Sequence, residues 1–255
     1  MDMNKLLHVS TYAGRIMLES GAETYRVEET ICRICYSFGA DEADSFVTPT
    51  GIMVSICHDN QTYSLINRVK SRSVDLNKID RINDLSRALQ DDPMDLNDIL
   101  KLLKEIDNGE RYSFPTTVAF AALGAGTFSV LFGGNLNDLL AATLIGFVIK
   151  IVTLKFQKLS INEFFINCIG GAIAAALTLT LVVLGFNISI DKTIIGAIML
   201  LVPGLAITNA IRDTIAGDFL AGLTKAAEAF LIAVSIAVGS GAILSFWINT
   251  LGGSL

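Results

Sequence analysis

Long apolar runs fill the part of the chain between residues 114 and 255. This part holds six Lys and Arg and six Asp and Glu, whereas residues 1–113 hold 13 and 19. A soluble domain needs a charged surface, which the second part lacks. A helix that crosses a bilayer needs about 20 mostly apolar residues. We therefore predict about five transmembrane helices, at residues 114–134, 139–154, 164–186, 193–211 and 219–247.

The linkers between these runs are short, which favours antiparallel neighbouring helices. Lys150, Lys155 and Lys158 lie at the second linker and Arg212 at the fourth. Because Lys and Arg favour the cytoplasmic side, we expect both linkers and the N-terminus to face the cytoplasm. No apolar leader opens the sequence, so we expect no signal peptide. The pattern predicts a multi-pass protein in the lipid bilayer of the cell inner membrane.

Residues 1–113 have the pattern of a small α+β domain. Apolar periodicity predicts helices at 3–20, 23–38, 77–90 and 95–107 and an antiparallel meander of strands at 44–48, 52–58 and 62–68. Asn77 and Asp95 are the expected N-caps of the last two helices. Residues 108–113 would link this domain to the membrane part at 114–255. The predicted fold is thus a membrane all-α bundle preceded by a small cytoplasmic α+β domain.

Composition and motifs exclude several classes of function. A net charge of −6 and a pI near 4.9 argue against a nucleic-acid-binding protein. No Walker loop, Gly-x-Ser-x-Gly or His-Glu-x-x-His motif occurs. Cys32 and Cys35 form a C-x-x-C pair without a second pair or a nearby His. We therefore expect no metal, no cofactor and no enzymatic activity.

Pro203 and Gly204 interrupt the fourth apolar run. Proline lacks a backbone donor and clashes with the preceding turn, so a helix should kink or break there. At membrane depth a break is tolerated only inside protein or beside water, and transporters use broken helices to bind solutes. Ionisable residues downstream fall on helical faces that could meet in one pocket. The candidate substrate or proton pathway comprises Pro203, Gly204, Thr208, Asn209, Arg212, Asp213, Asp218, Lys225 and Glu228.

These charged residues admit two interpretations. In a pocket, Arg212 and Lys225 would attract a carboxylate, and the acidic residues could bind an ammonium group or carry a proton. Alternatively, the cluster is a charged cytoplasmic loop whose side chains snorkel to the membrane interface. The Pro-Gly break is the feature that the second interpretation leaves unexplained.

Three separated segments resemble the threonine/serine exporter family. They are residues 13–28 (AGRIMLESGAETYRVE), residues 48–52 (TPTGI), and the membrane motif formed by residues 203–204 (PG), 208–213 (TNAIRD) and 216–218 (AGD). The resemblance implies secondary export of small metabolites by the larger subunit of the split two-gene form, which works with a small, separately encoded membrane protein. Threonine and serine are associated with fused members of the family, and succinate with a split pair. The resemblance assigns no role to any single residue.

The leading hypothesis is a transporter subunit driven by a proton or substrate gradient, with its pocket between the fourth and fifth spans. We expect an oligomer that contains the small partner and takes a small-molecule substrate. Two alternatives stay open: a membrane-bound enzyme that uses Asp213 and Asp218 as an acid pair, and a sensor or scaffold in which residues 19–28 bind a ligand.

A segment of the N-terminal domain could gate the cytoplasmic mouth of the pocket. Gly21 permits a tight corner between two helices, so the segment around it could dock there. The candidate gate comprises Gly14, Glu19, Ser20, Gly21, Glu23, Arg26 and Glu28.

Overall fold

The structure is a computed structural model that describes residues 2–92, 94–109, 112–159 and 161–251. The chain forms two compact units. The first comprises Met1–Glu110 and Gly204–Ala227, and the second comprises Arg111–Pro203 and Glu228–Leu255. Residues 110 and 111 of the predicted linker lie outside the described residues. The division of the chain at residue 113 stays a prediction.

The described residues are mostly helical. In chain order the elements are α1 (Met3–Glu19), α2 (Thr24–Ser37), β1 (Glu42–Thr48), β2 (Gly51–His58), β3 (Gln61–Arg68), α3 (Leu76–Asp91), α4 (Leu96–Asp107), α5 (Phe114–Leu131), α6 (Leu136–Lys158), α7 (Glu163–Val183), α8 (Ile190–Ile198), α9 (Gly204–Ala216) and α10 (Phe219–Leu251).

The core of the first unit holds α1 and α2 against one face of the sheet. Ile16 and Met17 of α1, Ile31 of α2, and Ile52 and Ile56 of β2 are each at most 1% exposed. Burying an aliphatic side chain of this size stabilises a fold by ~1.5–3 kcal/mol. Packing against the sheet therefore holds the corner between α1 and α2 in place.

The predicted antiparallel meander is confirmed, with strand order β1-β2-β3. Asp59 and Asn60 join β2 to β3, and both have positive φ, 51° and 60°. Two residues with positive φ form the hairpin turn whose twist matches that of the strands. The three short runs that predicted strands therefore form the three strands of the sheet.

One of the two predicted helix caps is wrong. Asp75, not Asn77, is the N-cap of α3, and its side chain accepts a hydrogen bond from the N–H of Lys78 at 3.2 Å. Asparagine and aspartate cap equally well, so their spacing alone did not decide between them. The predicted cap of α4 is confirmed, because the carboxylate of Asp95 accepts the N–H of Asn97 at 2.8 Å.

Four helices in the described residues are long and apolar enough to cross a membrane: α5, α6, α7 and α10. The predicted fourth span, 193–211, is not among them. The chain leaves helical geometry between α8 and α9, which have nine and 13 residues. Pro203 lies in this gap, as the loss of a backbone donor predicts. The Pro-Gly break is therefore present, and the count of five spans stays a prediction.

Glycines bring α7 and α10 together within the second unit. A Cβ on Gly171 would lie 2.5 Å from the carbonyl oxygen of Ile236, and a Cβ on Gly239 would overlap the carbonyl oxygen of Cys168. Gly241 differs, because a Cβ there would have no atom within 4 Å. Small residues that let backbones approach are the usual basis of helix packing in membranes.

Asp138 is a fully buried carboxylate of the second unit that was not predicted to have a role. It accepts hydrogen bonds from the N–H of Asn135 at 2.7 Å, the N–H of Ser189 at 2.6 Å and the hydroxyl of Thr193 at 3.2 Å. A buried carboxylate needs such partners. Asp138 therefore fixes the start of α6 to the start of α8.

Candidate functional site

A glycine makes the corner between α1 and α2. Gly21 has a φ of 91°, a left-handed conformation that glycine adopts without a steric penalty. The N–H of Ala22 bonds to the carbonyl of Met17 at 3.1 Å and closes α1. A Cβ at residue 21 would lie 3.1 Å from Cδ2 of Leu205 and 3.2 Å from the carbonyl oxygen of Ser73. The corner thus needs glycine for its backbone conformation and for its space.

The first turn of α2 is capped by a residue far along the chain. Glu23 is its N-cap, but the Glu23 side chain makes no capping hydrogen bond. Instead, Asp213 of α9 accepts the N–H of Thr24 at 3.1 Å and the hydroxyl of Thr24 at 2.9 Å. The unpaired N–H groups and the dipole of a helix N-terminus both favour a carboxylate. Asp213 therefore joins α9 to α2.

Lys225 of α10 balances the charge of this carboxylate. Its Nζ lies 2.6 Å from Oδ2 of Asp213 and 3.2 Å from Oγ1 of Thr24. The Asp213 side chain is fully buried, and that of Lys225 is 7% exposed. A buried charge that loses its partner costs ~3–5 kcal/mol. We call Thr24, Asp213 and Lys225 the buried ionic network.

Two glycines bring Lys225 within reach of Asp213. Gly217, with a φ of 101°, lies between α9 and α10 and lets the chain reverse. Gly222 packs on α9, where a Cβ would lie 2.9 Å from the carbonyl oxygen of Ala210. The close approach of α9 and the start of α10 allows Nζ of Lys225 to reach Oδ2 of Asp213.

A second ion pair joins α9 to the corner at a more exposed position. Oε1 of Glu23 accepts a hydrogen bond from Nη1 of Arg212, and Oε2 of Glu23 lies 3.4 Å from Nε of Arg26. The Glu23 side chain is 8% exposed, whereas that of Arg212 is 54% exposed. Burial alone would raise the pKa of Glu23, but its own backbone N–H and the two arginines outweigh burial and hold the pKa below its usual range. Glu23 is therefore ionised at neutral pH.

The predicted polar face of α9 is the face that contacts the corner. Nδ2 of Asn209 donates to the carbonyl oxygen of Gly21 at 2.8 Å, and Arg212 and Asp213 make the contacts above. The structure thus brings together residues of the predicted pathway and residues of the predicted gate, all within the first unit.

The remaining pathway residues lie outside the buried ionic network. Pro203 precedes α9, and the exposed Thr208 donates its hydroxyl to the carbonyl of Gly204 in the same helix at 3.0 Å. Burial raises the pKa of Asp218, which lies between α9 and α10. Glu228 lies on α10 in the second unit.

The other candidate gate residues shape the corner mainly through their backbones. Gly14 lies where α1 packs on α2, and a Cβ there would overlap the side chain of α2 that it faces. The carbonyls of Glu19 and Ser20 accept the N–H groups of Ser73 at 2.7 Å and of Asp75 at 3.0 Å. These bonds fix the segment before α3 to the corner.

Two glutamates of the candidate gate differ electrostatically from Glu23. Burial raises the pKa of Glu19 and that of Glu28, and the negative charges of Asp213 and Asp218 add to the rise at Glu28. Oε1 of Glu28 accepts the N–H of Val47 at 2.7 Å, which only partly offsets the rise. The corner thus combines one stabilised carboxylate with two carboxylates that are costly to ionise.

Three residues of this region were not predicted from the sequence. Thr24 lies within the segment 13–28, whose family resemblance was the one available signal for it. Asp80 and Asn83 come from α3 and line a cavity beside Arg212. Polar residues on an amphipathic helix resemble a solvated face, so the sequence held no signal for them.

Among the described residues, no group of three or more His, Cys, Asp or Glu side chains could hold a metal ion. The polar groups that meet at the corner between α1 and α2 are those of ion pairs, amides and hydroxyls.

Known proteins match the chain over most of its length. The ThrE family of threonine/serine exporters matches residues 8–247. The "Probable succinate transporter subunit YjjP" of Klebsiella aerogenes is 22% identical over 236 residues, which are 91% of this chain and 90% of that protein. The protein of the same name from Escherichia coli K12 is 21% identical over 238 residues, which are 92% of this chain and 91% of that protein.

A third relative is longer than this chain. The "Threonine/serine exporter" of Corynebacterium glutamicum is 23% identical over 244 residues, which are 92% of this chain and 50% of that protein. The chain thus spans about half the length of this relative. No solved structure matches the chain.

Proposed function

Because the chain belongs to the threonine/serine exporter family, a family of membrane transporters and not of enzymes, we propose that it is one subunit of a secondary exporter of small metabolites. The substrate is a threonine- or serine-like amino acid or a dicarboxylate such as succinate. The complex lies in the cell inner membrane, with the N-terminus in the cytoplasm. A small membrane protein completes it, which fits the subunit name of two relatives.

The observation that carries this proposal is the burial of charge behind a helix break. Asp213 is fully buried and depends on Lys225 and on the N-terminus of α2 for its partners. Such pairs add little net stability compared with apolar packing of similar size, so stability alone does not account for one here. We propose that the buried ionic network holds the gate segment on the pathway in a closed state.

Arg212 has a different part in the proposed cycle. More than half of its side chain is exposed, and the described structure pairs it only with Glu23. An exposed guanidinium can bind the carboxylate that threonine, serine and succinate share. Arg212 is therefore the residue that we expect to meet the solute, whereas Asp213 and Lys225 hold the gate.

Replacing Arg212 with alanine should lower export by about tenfold or more, since a hydrogen bond to a charged group contributes ~1.5–3 kcal/mol. Asp213→Asn should also lower export, because it removes the charge that pairs with Lys225, so the closed state of the cycle no longer forms normally, although the amide keeps an acceptor for Thr24. Cells that express the chain and its partner are loaded with threonine, serine or succinate. The amount of that solute that appears in the medium is then measured over time.

Arg87→Ala and Asp84→Asn are the matched controls, because these residues pair with each other on the exposed side of α3. Both should export normally. Membrane content is measured by immunoblot for every variant. If Arg212→Ala and Asp213→Asn reach the membrane and export at the parent rate, the assigned pathway is wrong.

A sensor or scaffold is separated from a transporter by reconstitution. Proteoliposomes that contain the chain and its partner should release trapped solute down a gradient. Ligand binding without any flux in that preparation would favour the sensor.

A further inference from the structure

A cavity on the first unit lies beside the exposed guanidinium of Arg212. Its volume is about 330 Å³, at the lower end of the ~300–1,000 Å³ of ligand sites. Leu76, Ile79 and Leu205 provide apolar lining. The polar lining includes Glu23, Arg26, Asp80, Asn83, Asn209 and Arg212.

Two buried amides of this lining have unused hydrogen-bonding groups. Asn83 is 8% exposed, and its Oδ1 accepts the hydroxyl of Thr30 at 3.4 Å, but its nitrogen donates to no described residue. Asn209 is 4% exposed, and its nitrogen donates to Gly21, but its Oδ1 accepts from no described residue. Neither of these two atoms is itself fully enclosed, so both can reach a ligand in the cavity. The cavity thus offers one donor and one acceptor to a polar ligand.

Arg212 offers further donors. A guanidinium has five N–H groups, and in the described chain only Nη1 of Arg212 makes a hydrogen bond, to Glu23. Glu23 also lies next to Arg26, so it would keep one cationic partner without Arg212. Arg212 can therefore exchange one carboxylate for another without leaving a buried charge unpaired.

We propose that this cavity binds a small-molecule carboxylate on Arg212, and that the ligand displaces Glu23 from this arginine. Loss of the Arg212–Glu23 pair removes one of the contacts that join α9 to the corner. Solute binding thereby weakens the closed gate. This inference rests on the proposed function, because it takes the bound carboxylate to be the exported solute.

The charge of the lining selects among carboxylates. Two arginines, Arg26 and Arg212, face two acids, Glu23 and Asp80, so the charged lining is balanced. A zwitterion preserves this balance, whereas a dianion adds two negative charges beside Asp80. The ammonium group of an amino acid can bind Asp80 and Oδ1 of Asn209. The ligand class is therefore a zwitterionic amino acid in preference to a dicarboxylate.

Direct binding tests these statements without transport. The full chain in lipid nanodiscs is titrated with radiolabelled threonine and, separately, with radiolabelled succinate. Threonine should bind, and Arg212→Gln should weaken its binding by about tenfold or more. Asp80→Asn should weaken threonine binding and leave succinate binding unchanged or stronger. Arg87→Gln is the matched control and should change neither.

Glu23→Gln separates ligand exchange from a merely structural role. Removal of the competing carboxylate should tighten threonine binding several-fold, whereas a structural role predicts weaker binding. Unchanged threonine binding in Arg212→Gln, or weaker binding in Glu23→Gln, would overturn the inference. Succinate that binds more tightly than threonine would overturn the ligand class.

The failure of this inference and the failure of the proposed function can be distinguished. Export by the whole complex, with no amino-acid binding that depends on Arg212, would contradict this inference alone. Binding that depends on Arg212, with no flux in proteoliposomes that contain the partner, would contradict the proposed function alone.

Discussion

Replacing Lys225 with methionine is expected to destabilise the first unit by about 3–5 kcal/mol, because it leaves the fully buried carboxylate of Asp213 without a cation. Methionine keeps most of the volume, so the loss reports charge and not packing. Thermal unfolding of the purified chain, in a background in which the half-buried Cys32, Cys57 and Cys168 are replaced, can be followed with a thiol-reactive dye that detects exposure of the buried Cys35. The midpoint should fall by many degrees.

Two further variants test the cause of this loss. Asp213→Asn combined with Lys225→Met removes both charges and keeps an acceptor for Thr24, so the double variant should be more stable than Lys225→Met alone. Lys101→Met is the matched control, because Lys101 pairs with Asp98 in an exposed position and should contribute less than ~1 kcal/mol. A double variant no more stable than Lys225→Met would refute the charge-based explanation.

Alanine at position 239 is expected to destabilise the second unit by about 1–3 kcal/mol, because its Cβ would overlap the carbonyl of Cys168 on α7. Alanine at position 241, on the same helix, should be neutral or stabilise by up to ~1 kcal/mol. A Cβ on Gly241 meets no atom within 4 Å, so only its higher helix propensity acts.

The pair of alanine variants is its own control, since both make the same chemical change two residues apart. The measurements are the yield of monodisperse protein in detergent and its midpoint of thermal unfolding. Equal midpoints for the two variants would show that α7 and α10 do not approach at Gly239.

Local patterns predicted most of the elements correctly. The first helix was predicted at 3–20 and is found at Met3–Glu19, and the last strand was predicted at 62–68 and is found at Gln61–Arg68. Apolar periodicity is a local property that the chain carries in its own order. The positions of helices and strands could therefore be predicted before any tertiary contact was known.

The region around Pro203 was predicted less well, because two local signals disagree there. Mean hydropathy favours a continuous span over 193–211, whereas proline forbids a continuous helix. The structure follows the proline, and α9 belongs to the first unit. The length and hydropathy of a segment do not indicate which unit it packs in once the helix is broken.

The partners of the candidate site could not be predicted, although many of its residues were. Thr24 and Asp213 are 189 positions apart, and no periodicity connects residues so distant. The Arg212 side chain is 54% exposed, as the alternative of a charged loop predicts, whereas Asp213 is fully buried, and the choice between pocket and loop stays a prediction. Residue type and helical spacing predicted a polar face, but only the fold identifies what that face contacts.

Thr24, Asp213 and Lys225 are linked in a ring, since each of the three side chains bonds to the other two. Withdrawal of any one member therefore strips a bond from both of the others at once. Once Thr24 leaves with α2, Asp213 and Lys225 keep only each other as partners within the ring. Separation of α9 from α2 should therefore break the bonds of Thr24 to Asp213 and to Lys225 together, in one cooperative step.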